Sequence, residues 1–150
     1  MSVKSDQRLR QLNTAYGKLS AAICYDTDFP KLMAQVGVQE GDVVLSPAGD
    51  WRAIDPRYTE IASFRAIEQG SNLVRQSNGG LSAPYHYQGR RLASMDEYQS
   101  ADLTLIAQVP TQGVRTIYSR LGDWFAWLCI AAVLALMGFA WRERRRPALS

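Results

Sequence analysis

Lys18 to Tyr25 reads KLSAAICY, a short apolar run bounded by Gly17 and Asp26. A run of this length closed at both ends by turn residues predicts a buried strand. Asp28-Phe29-Pro30 follows at once with the form of a helix start, an acidic residue near the cap and proline in the first turn. The helix is predicted over Lys31 to Val36, with Gly37 as its stop. Further out, Asp42 to Ser46 (DVVLS) predicts a second buried strand that ends at Pro47. Asp50-Trp51 and Asp55-Pro56 mark a loop, and Arg57 to Gln69 predicts a helix with Tyr58, Ile61, Ala62 and Ile67 turned inward and Gly70 as its cap. Asn72 to Gln76 is a third strand, Asn78-Gly79-Gly80 a turn, and Tyr85 to Arg90 a hairpin. Leu103, Leu105, Ala107 and Val109 alternate before Pro110, the pattern of a half-buried strand. The order β-α-β-α-β followed by hairpins implies an α/β fold with a mixed sheet.

The 150 residues are one domain's worth of chain, and 47% hydrophobic with 21% charged residues excludes a disordered or collagen-like protein. Cys24 and Cys129 are too far apart for a local metal motif, and His86 is the single histidine, so no metal and no cofactor is expected. Arg142 to Ser150 hold four arginines and one glutamate, which accounts for the whole net charge of +3 and leaves the preceding residues balanced. A nucleic-acid footprint spread over a domain face is therefore excluded.

Trp124 to Trp141 reads WFAWLCIAAVLALMGFAW without a charge. At about 1.5 Å per residue it makes about 27 Å of helix, close to the hydrocarbon thickness of a bilayer. Trp124 and Trp127 at one end and Trp141 at the other stand where aromatic belts form, and Arg142, Arg144, Arg145 and Arg146 follow as a cytoplasmic flank. That orientation puts the preceding domain on the extracytoplasmic side. Met1 to Leu12, MSVKSDQRLRQL, is polar and carries no export signal. Either the body stays in the cytosol on a tail anchor, or an upstream part is missing. The expected organisation is a polar segment over 1–12, a domain over 13–123, a transmembrane helix over 124–141 and a basic tail over 142–150.

Cys24 closes the first strand at its turn into a helix. There a strand-turn-helix enzyme presents its nucleophile, and a helix N-terminus favours a thiolate. The same pattern also describes an inert core cysteine. Asp26 stands two residues on, where strand geometry would set its carboxylate beside the thiol and turn geometry would not.

Four ordered segments resemble the nitrilase (carbon–nitrogen hydrolase) superfamily: Ala22-Ile23-Cys24-Tyr25-Asp26, Asp28-Phe29-Pro30, Ser46-Pro47-Ala48-Gly49-Asp50-Trp51, and Phe64 to Gly70 (FRAIEQG). Two further pieces, Leu73 to Ser82 (LVRQSNGGLS) and Thr116 to Trp124 (TIYSRLGDW) leading into the span, resemble the apolipoprotein N-acyltransferase branch in particular. The resemblance covers about residues 13–141 and implies part of a four-layer αββα sandwich followed by a transmembrane helix. It also implies a Glu-Lys-Cys catalytic set, with acyl transfer through a thioester on the cysteine. Cys24 falls on the nucleophile position and Asp26 on that of a functional acidic residue. Tyr25 and Trp51 are expected to bind substrate, Trp51 along an acyl-binding edge, though it also reads as a packing aromatic. Arg65 and Glu68 are spaced to pair on one helix face as a brace, and Asn78 and Ser82 are expected to hold turn geometry beside the site. Only Lys4 and Lys18 precede Cys24, and no glutamate occurs before Glu40. The family Glu and Lys are thus expected from a missing N-terminal half or a partner chain, and these residues alone are expected to be inactive.

The partners implied are membrane lipid, a phospholipid acyl donor and a lipoprotein or small amine acceptor, in lipoprotein biosynthesis. The competing expectation is a non-catalytic, membrane-tethered binding module of the same fold.

Overall fold

The computed structural model describes residues 8–144. Arg145 and Arg146 of the basic flank and residues 1–7 of the polar segment lie outside the described residues. The chain divides near residue 120 into two compact units.

The first unit is built on a six-stranded mixed sheet in sequential order, β1 (Gln11–Thr14), β2 (Gly17–Ala21), β3 (Val43–Gly49), β4 (Asn72–Asn78), β5 (Leu81–Tyr85) and β6 (Met95–Asp96). β2, β3 and β4 run parallel; β1 is antiparallel to β2, β5 to β4, and β6 to β5. Parallel neighbours need crossovers, supplied by α1 (Pro30–Val38) between β2 and β3 and α2 (Arg57–Gln69) between β3 and β4. Alternation along the strands separates two faces. Val44, Leu73 and Ala83 join Met33, Val36, Ala62 and Ala66 of the helices in one core. Leu45, on the opposite face of β3, is 39% exposed. The helices and this sheet make two layers of an α/β fold. A second sheet and helix layer are not among the described residues.

Several boundaries differ from the local reading, each for a tertiary reason. The strand expected over Lys18 to Tyr25 is β2, which ends at Ala21 because Ala22 makes the last bond to β3, from its N–H to the Leu45 carbonyl at 3.0 Å. Beyond that point β3 has a neighbour on one side only, so Pro47, which has no N–H, fits inside the strand instead of ending it. α1 runs through Gly37 to Val38, its packing against α2 outweighing the roughly 1 kcal/mol that a helical glycine costs. Folded chain starts ahead of residue 13: β1 begins at Gln11, and Leu9 lies in the core.

α2 has the expected ends, and Gly70 closes it at φ 73. A side chain there would strike the Val114 carbonyl, and Val114 itself donates its N–H to Gly70 O at 2.7 Å. The inward face is Thr59, Ala62, Ser63, Ala66 and Gln69, so of the four residues expected there only Ala62 is fully buried. The sheet beneath α2 is polar in part, and small or hydroxylated side chains face it. Residues 103–109 form no strand, but Leu105, Ala107 and Val109 are half-buried in alternation over β4 and β5, while Leu103 is exposed.

The second unit holds α4 (Trp124–Arg144), preceded by the short α3 (Ile117–Leu121) at the boundary. Trp124–Arg142 is long and apolar enough to cross a membrane, and it is apolar on every face.

Candidate active site

After Ala22 the chain folds into a 3-10 turn, Cys24–Asp28, before Pro30 opens α1. Cys24 adopts φ 49, a left-handed conformation that non-glycine residues avoid. Such a conformation costs on the order of 1–3 kcal/mol and persists only where surrounding bonds enforce it. The enforcing bonds are present. Asp26 N–H donates to the Ile23 carbonyl at 3.0 Å, and the Thr27 hydroxyl, fully buried, donates to the Cys24 carbonyl at 3.0 Å. Phe29 N–H closes the turn onto the Asp26 carbonyl at 3.2 Å. The Asp26 carboxylate accepts from Ile23 N–H at 2.9 Å. The i, i+2 strand relation that would have set it beside the thiol does not arise, because the strand has already ended.

The thiol is half-buried at the C-terminal edge of the parallel strands, where open α/β sheets carry their sites. Its Sγ lies 3.9 Å from the Gly49 carbonyl at the end of β3. Among the described residues no lysine or glutamate hydrogen-bonds Sγ. Tyr25, Phe29 and Trp51 are all at least half exposed: Tyr25 stacks edge-on to Phe29 at 5.2 Å, and Trp51 stands two residues beyond Gly49. Arg65 Nη1 pairs with Glu68 at 2.7 Å along α2. Ser82 Oγ accepts from Ser77 N–H at 2.9 Å and donates to the Ser77 carbonyl at 3.1 Å, bracing the β4–β5 turn. Asn78 contributes its carbonyl, which accepts Asp50 N–H at 2.8 Å.

A buried polar network beneath this turn escaped the sequence reading. Arg75 on β4 donates from Nη2 to both oxygens of Asp50 at 3.1 Å, from Nε to Thr59 Oγ1 at 3.1 Å and from Nη1 to Ser46 Oγ at 3.3 Å. Ser77 Oγ donates to Asp50 at 2.6 Å. The available signal was buried-strand positions held by polar residues, Ser46 on the apolar run of β3 and Arg75 and Ser77 at alternate positions of β4. Asp28, on the Cys24 turn, faces the same cluster. Burial pushes its carboxyl up from the ordinary value, against the pull of Arg75 and Arg65 and with the repulsion of Asp50. Its Oδ1 is buried and accepts no hydrogen bond from the described residues. No group of three potential metal ligands occurs among those residues.

No family model matches the chain. The apolipoprotein N-acyltransferase of Vibrio vulnificus (strain CMCP6) is 36% identical over 134 residues, 87% of this chain and 26% of that protein. That of Synechocystis sp. (strain ATCC 27184 / PCC 6803 / Kazusa) is 31% identical over 141 residues, 89% of this chain and 25% of that protein. The chain thus spans about a quarter of the length of the curated relatives it matches. Among solved structures, Saccharomyces cerevisiae Nit3, a member of branch 10 of the nitrilase superfamily, superposes with a TM-score of 0.57 at 21% identity, over 65% of this chain and 39% of its own. An amidase from Nesterenkonia sp. AN1, solved with the acetamide moiety of fluoroacetamide covalently added at its active-site cysteine, superposes with a TM-score of 0.55 at 20% identity, over 63% of this chain and 39% of its own. At those identities the structures show a shared fold.

Proposed function

Because this chain belongs to the nitrilase superfamily and its curated relatives are apolipoprotein N-acyltransferases, we propose that Cys24 is the nucleophile of an acyl-transfer site at a membrane surface. The observation that carries the reading is the φ 49 conformation of Cys24 at the C-terminal edge of the sheet, a strained turn maintained by dedicated hydrogen bonds. In the proposed reaction the Cys24 sulfur attacks the ester carbonyl of a phospholipid acyl donor. The S–C bond forms, the ester C–O bond breaks, and the lysolipid alkoxide takes up a proton as it leaves. An amine of the acceptor, a lipoprotein terminus or a smaller amine, then attacks the thioester and restores the thiol. Tyr25, Phe29 and Trp51 offer exposed aromatic surface for the acyl chain.

A general base and an oxyanion-stabilising cation are needed for both steps. In this reading a Glu and a Lys from outside these 150 residues supply them, consistent with the quarter of the relatives' length that the chain spans and with the absence of either residue type at Sγ among the described residues. The 150 residues alone then give no measurable turnover. α4 spans the bilayer in this proposal, with Arg142 and Arg144 on the cytoplasmic side and the Cys24 unit outside.

A thiol-directed acyl probe on the complete protein tests the assignment: it is expected to label Cys24 and spare Cys129, and Cys24→Ser is expected to abolish the label. Undiminished labelling after Cys24→Ser would refute the nucleophile and favour a binding module. A reporter active only outside the cytosol, fused after Ser150 in the complete protein, is expected to stay silent.

A further inference from the structure

Two chain segments meet at the Cys24 sulfur: the 3-10 turn that carries it and the end of β3 that brings the Gly49 carbonyl to 3.9 Å. Both lead to one guanidinium. Asp50, the residue after Gly49, is gripped by Arg75 through two 3.1 Å bonds and by Ser77 through a 2.6 Å bond. Asp28, at the far end of the thiol's own turn, lies in the field of the same Arg75. The other donors of Arg75 reach Thr59 on α2 and Ser46 on β3, so the guanidinium cannot shift without breaking bonds to both elements.

We propose that Arg75 is a positioning residue for the Cys24 thiol, holding the Gly49–Asp50 corner at the distance where its carbonyl engages Sγ. The proposal rests on the reading of Cys24 as nucleophile. Arg75 touches neither the sulfur nor any reacting atom, and its influence passes through Asp50. A fork is needed because Nε, Nη1 and Nη2 serve three different residues, Thr59, Ser46 and Asp50. A lysine at the same place keeps the charge and loses that geometry. The arrangement confines the thiol until substrate competes for it, and loosening the corner releases the sulfur.

The test uses the full chain in detergent with Cys129→Ser as the background, and iodoacetamide as the probe of Cys24. Asp50→Asn and Arg75→Lys are expected to raise the alkylation rate at neutral pH about threefold, the scale of releasing one weak hydrogen bond. Ser77→Ala, which deletes one hydroxyl and keeps the buried charges balanced, is expected to raise it about twofold on the same grounds, and keeps the test available should the charged variants unfold. Glu40→Gln, at the opposite end of the parallel strands, is expected to leave it unchanged. Circular dichroism verifies that each variant is folded when alkylated. A merely structural Arg75 would lower the unfolding temperature and leave the folded-state rate at the background level, which would overturn the positioning role alone. A Cys24 that in the complete protein, with its Glu and Lys in place, labels no faster than Cys129 would overturn the nucleophile reading, and this proposal with it.

Discussion

Nη2 of Arg75 lies 3.1 Å from both carboxylate oxygens of Asp50, and neither side chain is more than 2% exposed. Removing two charges from water is costly, and only complete hydrogen bonding with close approach offsets it. Here the guanidinium is satisfied by Asp50, Thr59 and Ser46, and Asp50 also accepts from Ser77. The pair joins the end of β3 to the middle of β4 and so fixes the edge of the sheet on which Cys24 sits.

Arg75→Met is expected to destabilise the fold by about 3–5 kcal/mol, because it leaves the Asp50 carboxylate buried and unpaired. The double variant Arg75→Met/Asp50→Leu is expected to recover much of that loss. Chemical denaturation of the full chain in detergent measures both, and equal stability of the two variants would contradict the account.

Gly79 turns between β4 and β5 at φ 82, and a side chain on it would strike the Asp50 carbonyl. Gly79→Ala therefore combines left-handed strain with a backbone clash, and is expected to cost on the order of 1–3 kcal/mol. Thermal unfolding reads the loss. A variant as stable as the parent would mean that the loop at Asp50 is free to move aside.

Asp28 gives a signed pH dependence. Burial holds its carboxyl above the ordinary 3.8 despite Arg75 and Arg65. A raised folded value favours folding while the proton is bound, so this contribution is complete below 3.8 and fades as pH rises through the folded value. Asp28→Asn removes the charge, and its unfolding temperature is expected to exceed the parent's at neutral pH. The gap is expected to close as the pH falls below the ordinary carboxylate range. A variant less stable than the parent at neutral pH would mean that the two arginines outweigh burial.

Val133 lies near the middle of α4, in the apolar window Trp124–Arg142. Val133→Arg places a charge at the centre of the hydrocarbon and is expected to cost about 2.5–3.5 kcal/mol of insertion. Resistance of the chain to alkaline carbonate extraction from membranes is expected to fall accordingly. Unchanged retention would argue against a span.

What depends on near neighbours was legible in the amino-acid order. α2 runs from Arg57 to Gln69 as its periodicity and Gly70 indicate, since caps and helical spacing act within a few residues. The apolar α4 follows from composition alone, and Arg65 and Glu68 pair because one helix sets them three apart. The Asn78-Gly79-Gly80 turn is likewise local, its left-handed position at Gly79 being open to glycine at little strain. Other features of the candidate site were decided by residues far apart in sequence. β2 stops at Ala21 because its pairing with β3 runs out, a limit absent from KLSAAICY itself. The Asp26 carboxylate is bonded to Ile23 N–H within the turn for the same reason. Arg75, Asp50, Ser46 and Thr59 are separated by 16 to 29 positions along the hydrogen bonds that unite them, and no local pattern encodes their meeting. Only closing the β2-β3-β4 crossovers buries these polar groups together, where each must find a partner or pay the desolvation of an unsatisfied charge.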